Sequence, residues 1–188
     1  MQKYELVLVM DPKLNETERN GVIEVFEKDF KDNILKKDDM GVQQLKYDLS
    51  RVKGRDAAYF ISYHLELEPT AVKKVKEIFL YTSEVYRNFL YKMGNEELFW
   101  EYDKINKELQ KIIDAWDVKR YGNRVSFFAN KDNDKYLTWK AITMLKKYLT
   151  RFGNVKPRAY TGNSVSKQKT VRKMLIRARE LGLLDYIR

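Results

Sequence analysis

From Lys3 to Met10 the chain alternates, with Tyr4, Leu6, Leu8 and Met10 on one side and Val7 and Val9 on the other. A period of two is the signature of a strand. Asp11-Pro12 ends it, because proline cannot donate to a ladder. Asn15 suits an N-cap and Glu18, three residues on, can close a capping box. Val22, Val25, Phe26 and Phe30 then recur at helical spacing. Met40 to Leu49 reads as a strand that is polar on one side. Tyr59 to Leu67 is the clearest strand, with Tyr59, Ile61, Tyr63, Leu65 and Leu67 on one face. Pro69 and Thr70 open a helix carrying Val72, Val75, Ile78 and Phe79, and Val85 to Lys92 closes the series as a last strand. The order βαββαβ predicts a ferredoxin-like sandwich, one sheet with two helices on one face. That fold hosts many functions and implies none by itself.

The pattern then becomes helical. Leu98, Tyr102, Ile105, Leu109, Ile112 and Trp116 make a heptad-like stripe on a helix expected from about Asn95 to Asp117. Glu96, Glu97, Glu101 and Asp103 lie near its start, where the helix dipole favours acids. Two readings fit: a coiled-coil dimer, or an amphipathic linker helix docking on its own chain. Three heptads barely reach the length a coiled coil needs, which favours the linker. Thr138 to Thr150 reads as a further helix, with Ala141, Ile142, Leu145, Tyr148 and Leu149 inward and Lys140, Lys146 and Lys147 outward. Gly153 is placed to stop it. After the loop Asn154 to Gly162, a last helix spans about Ser164 to Leu181. Val171, Met174, Leu175, Ala178 and Leu181 form its buried side, and Lys167, Lys169, Arg172, Lys173, Arg177 and Arg179 occupy its other faces. The expected class is therefore α+β: a ferredoxin-like βαββαβ sandwich over 1–92, an amphipathic linker helix over 93–117, and a small, mainly helical basic module over 118–188.

Charge sharpens this division. The chain of 188 residues carries a formal net charge of +10 with a pI near 9.5, a balance that suits a polyanionic partner. Residues 1–92 hold 16 Lys and Arg against 16 Asp and Glu, whereas residues 118–188 hold 18 against 4. The basic surface is thus expected on the C-terminal third. Cysteine is absent, which excludes disulfides and cysteine-based zinc sites and suits a reducing cytosol. Met1 to Met10 has no cationic leader of a signal peptide, and no apolar run approaches the roughly 20 residues of a membrane span. A cytoplasmic protein with no membrane partner is expected.

The six cations between Lys167 and Arg179 face one nearby acid in sequence, Glu180. Many cations along one rigid element are what a phosphate backbone needs, since each neutralised phosphate releases counterions. A solvated basic face is the plain alternative. The loop adds Lys156 and Tyr160 to the candidate nucleic-acid-binding set, and the segment ahead of the module adds Arg120 and Arg124, beside Lys119. Enzymatic readings find little support. The one histidine, His64, falls on the polar face of a strand, and the chain has no phosphate-cradling glycine loop, metalloprotease motif or nucleophile elbow. Neither a cofactor nor a metal is expected.

Tyr4-Glu5 followed by Pro12-Lys13-Leu14, then Leu45-Lys46-Tyr47, then Val85-Tyr86-Arg87, resembles bacterial small-subunit ribosomal protein six over about residues 1–92. Two positions depart from that family: Asp48 stands where it usually has proline, and Ala57 where it usually has glycine, so the loop from Ser50 to Asp56 is expected to turn differently. Pro157-Arg158, Thr161-Gly162, Gln168-Lys169 and Ile176-Arg177-Ala178-Arg179 resemble bacterial small-subunit ribosomal protein eighteen over about residues 125–188. By position, that resemblance marks Arg158, Thr161, Lys169, Arg177 and Arg179 for RNA contact. Many members carry cysteine on a basic N-terminal arm, and this chain has none.

The two families pair on the platform of the small subunit, on the central domain of its rRNA. The resemblance therefore implies a structural constituent of the small ribosomal subunit. Its partners would be small-subunit rRNA and neighbouring ribosomal proteins, with the two modules pairing within one chain rather than as a homo-oligomer. Arg87, Phe89 and Tyr91 on the last strand, with Phe127 and Phe128, are the candidate inter-module surface. Phe127 and Phe128 could equally be ordinary core, the slightly favoured reading. Two other classes compete: a free-standing regulatory protein that binds single-stranded RNA, and a protein–protein adaptor docking through its aromatic-rich first module.

Overall fold

The computed structural model describes residues 1–49, 56–94, 97–117 and 126–186. The chain divides into two units, Met1–Phe99 and Trp100–Arg188. The linker helix thus belongs to the second.

The first unit runs β1 (Gln2–Met10), α1 (Glu16–Asp29), β2 (Ile34–Gln44), β3 (Ala57–Leu67), α2 (Ala71–Ile78) and β4 (Val85–Lys92). The strands form one antiparallel sheet in the order β2-β3-β1-β4, the βαββαβ sandwich expected. Alternation places Tyr4, Leu6, Leu8 and Met10 of β1 beside Ile61, Tyr63, Leu65 and Leu67 of β3 in one core with Ile23, Phe26, Val75 and Phe79 of the helix side. Asn15 caps α1, its backbone N–H donating to Glu18 Oε2 at 3.0 Å. Phe26 is fully buried at the centre. Its ring lies 5.3 Å from those of Phe30 and Tyr63 and 5.5 Å from that of Phe79, packing that adds to the roughly 1.5–3 kcal/mol of burying such a side chain. The Tyr63 hydroxyl keeps a partner by donating to Glu27 Oε1 at 2.8 Å, which also accepts from Lys37 Nζ at 2.8 Å. Burial raises the Glu27 carboxyl, but these two bonds outweigh it and hold the group below the ordinary carboxylate value.

The second strand is a correction. It spans Ile34–Gln44, not Met40 to Leu49. It is an edge strand paired only to β3, with a register shift between Asp39 and Gly41. Gly41 takes φ of 66°, the left-handed region that glycine tolerates. The bulge breaks the period of two, and with it the pattern that would mark the strand from Ile34. Leu45 and Leu49 are buried all the same, outside any strand. The loop expected to turn differently, residues 50–55, lies outside the described residues.

In the second unit, α3 (Tyr102–Asp117) packs against α4 (Ile142–Lys147). Ile105 and Leu109 are fully buried and Ile113 nearly so. The helix starts later than expected. Leu98 precedes it and is exposed. The side chain of Trp116 lies outside the described residues. The helix expected over Thr138 to Thr150 is also shorter. Residues 137–141 lead into α4 as turns, with Thr138 N donating to the Tyr136 carbonyl and Ile142 N to that of Lys140, each at 2.9 Å. Lys140, read as outward, is fully buried beside the equally buried Trp139. Its Nζ donates to the Trp100 carbonyl at 2.8 Å, and Asn106 Nδ2 reaches the Lys140 carbonyl at 3.3 Å. The amine thus fastens the approach to α3 onto the segment before α4. Phe127 and Phe128 fill this unit's own core: Phe127 lies 6.1 Å from Tyr136 and Phe128 stacks 5.8 Å from Tyr148. Burial pushes the Tyr148 hydroxyl up to about 12. Among the described residues no helix is long and apolar enough to cross a membrane.

Candidate nucleic-acid interface

After α4 the chain makes a tight hairpin. Lys156 N donates to the Tyr148 carbonyl at 2.8 Å, and Thr150 N to that of Asn154 at 2.7 Å. Leu149 and Val155 form a bridge. Pro157 then opens α5 (Arg158–Thr161), a single turn that Gly162 ends at φ of 68°, with its N–H on the Arg158 carbonyl at 2.9 Å. The last helix is α6 (Val165–Glu180), capped by Ser164, whose hydroxyl accepts from Lys167 N.

Gln168 locks these pieces together. Its Nε2 donates to the Lys156 carbonyl at 2.8 Å, and its Oε1 accepts from Thr161 Oγ1 at 3.1 Å and Asn163 Nδ2 at 3.0 Å. Asn163 is itself buried and accepts from the Ser126 hydroxyl. The loop that carries Arg158 and Tyr160 is thus tied to the helix that carries Lys169, Arg172 and Lys173.

Val171, Met174, Leu175 and Ala178 bury one side of α6, as their spacing predicts. The candidate RNA-binding residues divide into three groups. Arg158, Tyr160, Lys169, Arg172 and Lys173 are exposed. Lys156, Thr161 and Lys167 are half-buried; Lys156 Nζ donates to the Lys147 carbonyl at 2.8 Å, and Lys167 pairs with Asp134. Arg177 and Arg179 are buried rather than on an open face. The chain after α6 folds back, with Leu183 N on the Ala178 carbonyl at 3.0 Å and Leu183 and Leu184 both buried, and so covers the helix's last turn. Arg179 donates from Nε to the Asp185 carbonyl at 3.0 Å and from Nη2 to the Gly153 carbonyl, which braces the hairpin. The pairing of Lys167 was invisible in sequence because Asp134 lies far back in the chain. The brace from Arg179 was invisible for the same reason. Arg120 and Arg124 lie outside the described residues.

In the first unit, β4 is the other edge strand. Arg87, Phe89 and Tyr91 stand opposite Val9, Val7 and Glu5 of β1, so they share the sheet face turned away from both helices. The Phe89 and Tyr91 rings stack at 6.0 Å. On that face His64 stacks against Phe99 at 5.3 Å.

A sheet-and-helix unit followed by a helical unit that exposes several cations makes this a two-module α+β protein. The family model described as Ribosomal protein S6 matches residues 3–92, and that described as Ribosomal protein S18 matches residues 133–184. Among similar proteins, small ribosomal subunit protein bS18 of Mycoplasma capricolum is 38% identical over 64 residues, 34% of this chain and 84% of that protein. The bS18 protein of Mycoplasma mycoides is 39% identical over the same shares. That of Thermoanaerobacter sp. is 38% identical over 63 residues, 34% of this chain and 70% of its own. A crystal structure of 30S ribosomal protein S6 from Thermotoga maritima aligns with a TM-score of 0.44 at 18% identity, covering 58% of this chain and 96% of that one. The chain belongs to the ribosomal protein S18 family, with a ribosomal protein S6 module joined ahead of it in the same polypeptide.

Proposed function

We propose that this protein is a cytoplasmic, non-enzymatic structural constituent of the small ribosomal subunit. In this reading it binds the central domain of small-subunit rRNA on the platform, alongside neighbouring small-subunit proteins and with no membrane partner. The observation that carries it is the exposed set Arg158, Lys169, Arg172 and Lys173 on α5 and α6, two elements that the Gln168 bonds tie together. Cations mounted on elements with a fixed spacing present one track to a backbone, and each neutralised phosphate releases counterions. Arginine adds planar, bidentate contacts that lysine cannot make. The first module supplies no excess charge. Its role is to pair with the second through Arg87, Phe89 and Tyr91 and so to position it. Joining the two in one chain makes that pairing intramolecular, at roughly millimolar effective concentration.

Co-sedimentation tests this reading. The protein is expected to stay with small subunits through a high-salt wash. Release into the supernatant would instead favour a free-standing regulator that binds single-stranded RNA.

A further inference from the structure

The hairpin between α4 and α5 carries a feature that the cation track does not use. Its tip is Arg151-Phe152-Gly153. Phe152 is 53% exposed and Arg151 is exposed as well. The Arg151 guanidinium carbon lies 4.5 Å from the centroid of the Phe152 ring. The turn beneath them is braced. Gly153 takes φ of 81° and its N–H donates to the Thr150 carbonyl at 3.0 Å. Asn154 N donates to Thr150 Oγ1 at 3.1 Å. Arg179 reaches the Gly153 carbonyl from inside α6. The ring is therefore presented on a fixed turn, with a guanidinium over one face and about half of the residue still in solvent.

The chemistry of the pair narrows the ligand. A phosphate alone has no use for an exposed ring, and an apolar side chain has no use for an adjacent cation. A nucleotide uses both, its base lying against the ring and its phosphate near the guanidinium. Bases inside a duplex have their faces stacked on neighbours, so only an unpaired, splayed base can take such a place. The same hairpin leads directly into α5, where Tyr160 is 70% exposed.

We propose that Arg151 and Phe152 form a stacking platform for an unpaired nucleobase, so that the second unit engages single-stranded rRNA as well as phosphate backbone. The proposal rests on the rRNA-binding reading above and deepens it.

The test uses the full chain and two probes, a short, unpaired oligoadenylate RNA and a blunt RNA duplex of equal length. Phe152→Ala is expected to weaken oligoadenylate binding about tenfold, with duplex affinity and the salt slope unchanged. Phe152→Trp is expected to restore it. Arg172→Ala with Lys173→Ala is expected to lower the salt slope on both probes. Wild-type affinity of Phe152→Ala for both probes overturns the platform while leaving the cation track standing. An equal weakening on both probes that Phe152→Trp does not repair makes the ring a structural part and also overturns it. Full RNA affinity combined with failure to co-sediment with small subunits assigns the ring to a protein neighbour and overturns it as well. A wild-type chain that binds neither probe fails the rRNA-binding reading itself.

Discussion

Each unit of this protein holds a glutamate between a lysine and a tyrosine. In the first, Glu27 accepts from Lys37 and Tyr63, each at 2.8 Å. In the second, Glu108 accepts from Lys135 at 3.2 Å and Tyr136 at 3.0 Å. The local device is the same and the surroundings are not. Charges balance over residues 1–92, while cations outnumber acids 18 to 4 over residues 118–188. Yet the second unit does not expose all its cations. Folding takes Lys140, Arg177 and Arg179 into the interior and pairs Lys167 with Asp134. A charge count points to the unit proposed to bind RNA, whereas burial decides which of its cations stay open to solvent.

The largest expected effect strikes the first unit's core. Phe26→Ala should cost about 3–5 kcal/mol in urea denaturation, because the vacated space borders three aromatic rings. A cost below about 1 kcal/mol would mean that the ring is not packed as described. In the second unit the comparable weak point is polar. Lys140→Met keeps the aliphatic stem but leaves the Trp100 carbonyl without its donor. It should cost about 1–3 kcal/mol by the same measurement; a neutral result would show that the carbonyl finds another partner.

Two further changes separate the units by charge. Replacing Arg172 and Lys173 with Ala should lower the slope of log affinity against log salt by about 0.9 for each phosphate that is no longer neutralised. Replacing Lys73 and Lys74 on α2, also exposed, should leave the slope unchanged. Equal changes from the two pairs would erase the distinction. The smallest effect concerns pH. The Glu27 carboxyl is held below its ordinary value by Lys37 and Tyr63, so its contribution to stability is present above that value and fades as pH falls through the lowered one. The difference in thermal midpoint between wild type and Glu27→Gln should therefore be seen at neutral pH and vanish in strong acid. A difference independent of pH would mean that the carboxylate charge is not what matters.

The sequence described the first unit well wherever one face of an element is buried. The alternation of β1 and β3 and the capping of α1 could all be read from local spacing. It failed at β2, where an edge position and a bulge at Gly41 remove the period of two. In the second unit α6 was read within a residue of its ends, because a buried stripe along a regular helix repeats faithfully. The region before α4 was misread because apolar residues at helical spacing also fit a buried turn. Lys140 was misplaced for a related reason: its partner, the Trp100 carbonyl, is distant in sequence. The candidate site shows the same limit. Spacing found the cations of α6, but Asp134, the Gly153 carbonyl and the fold-back after Glu180 determine which of them remain outside.

Ultraviolet cross-linking of the full chain to a central-domain rRNA fragment, read by mass spectrometry, asks directly which unit touches RNA. Cross-links are expected on peptides of the second unit that carry Arg158, Tyr160, Lys169, Arg172 and Lys173, with few on residues 1–92. Cross-links concentrated on the first unit's sheet or helices, with α5 and α6 unmarked, would contradict the assignment of RNA binding to the second unit.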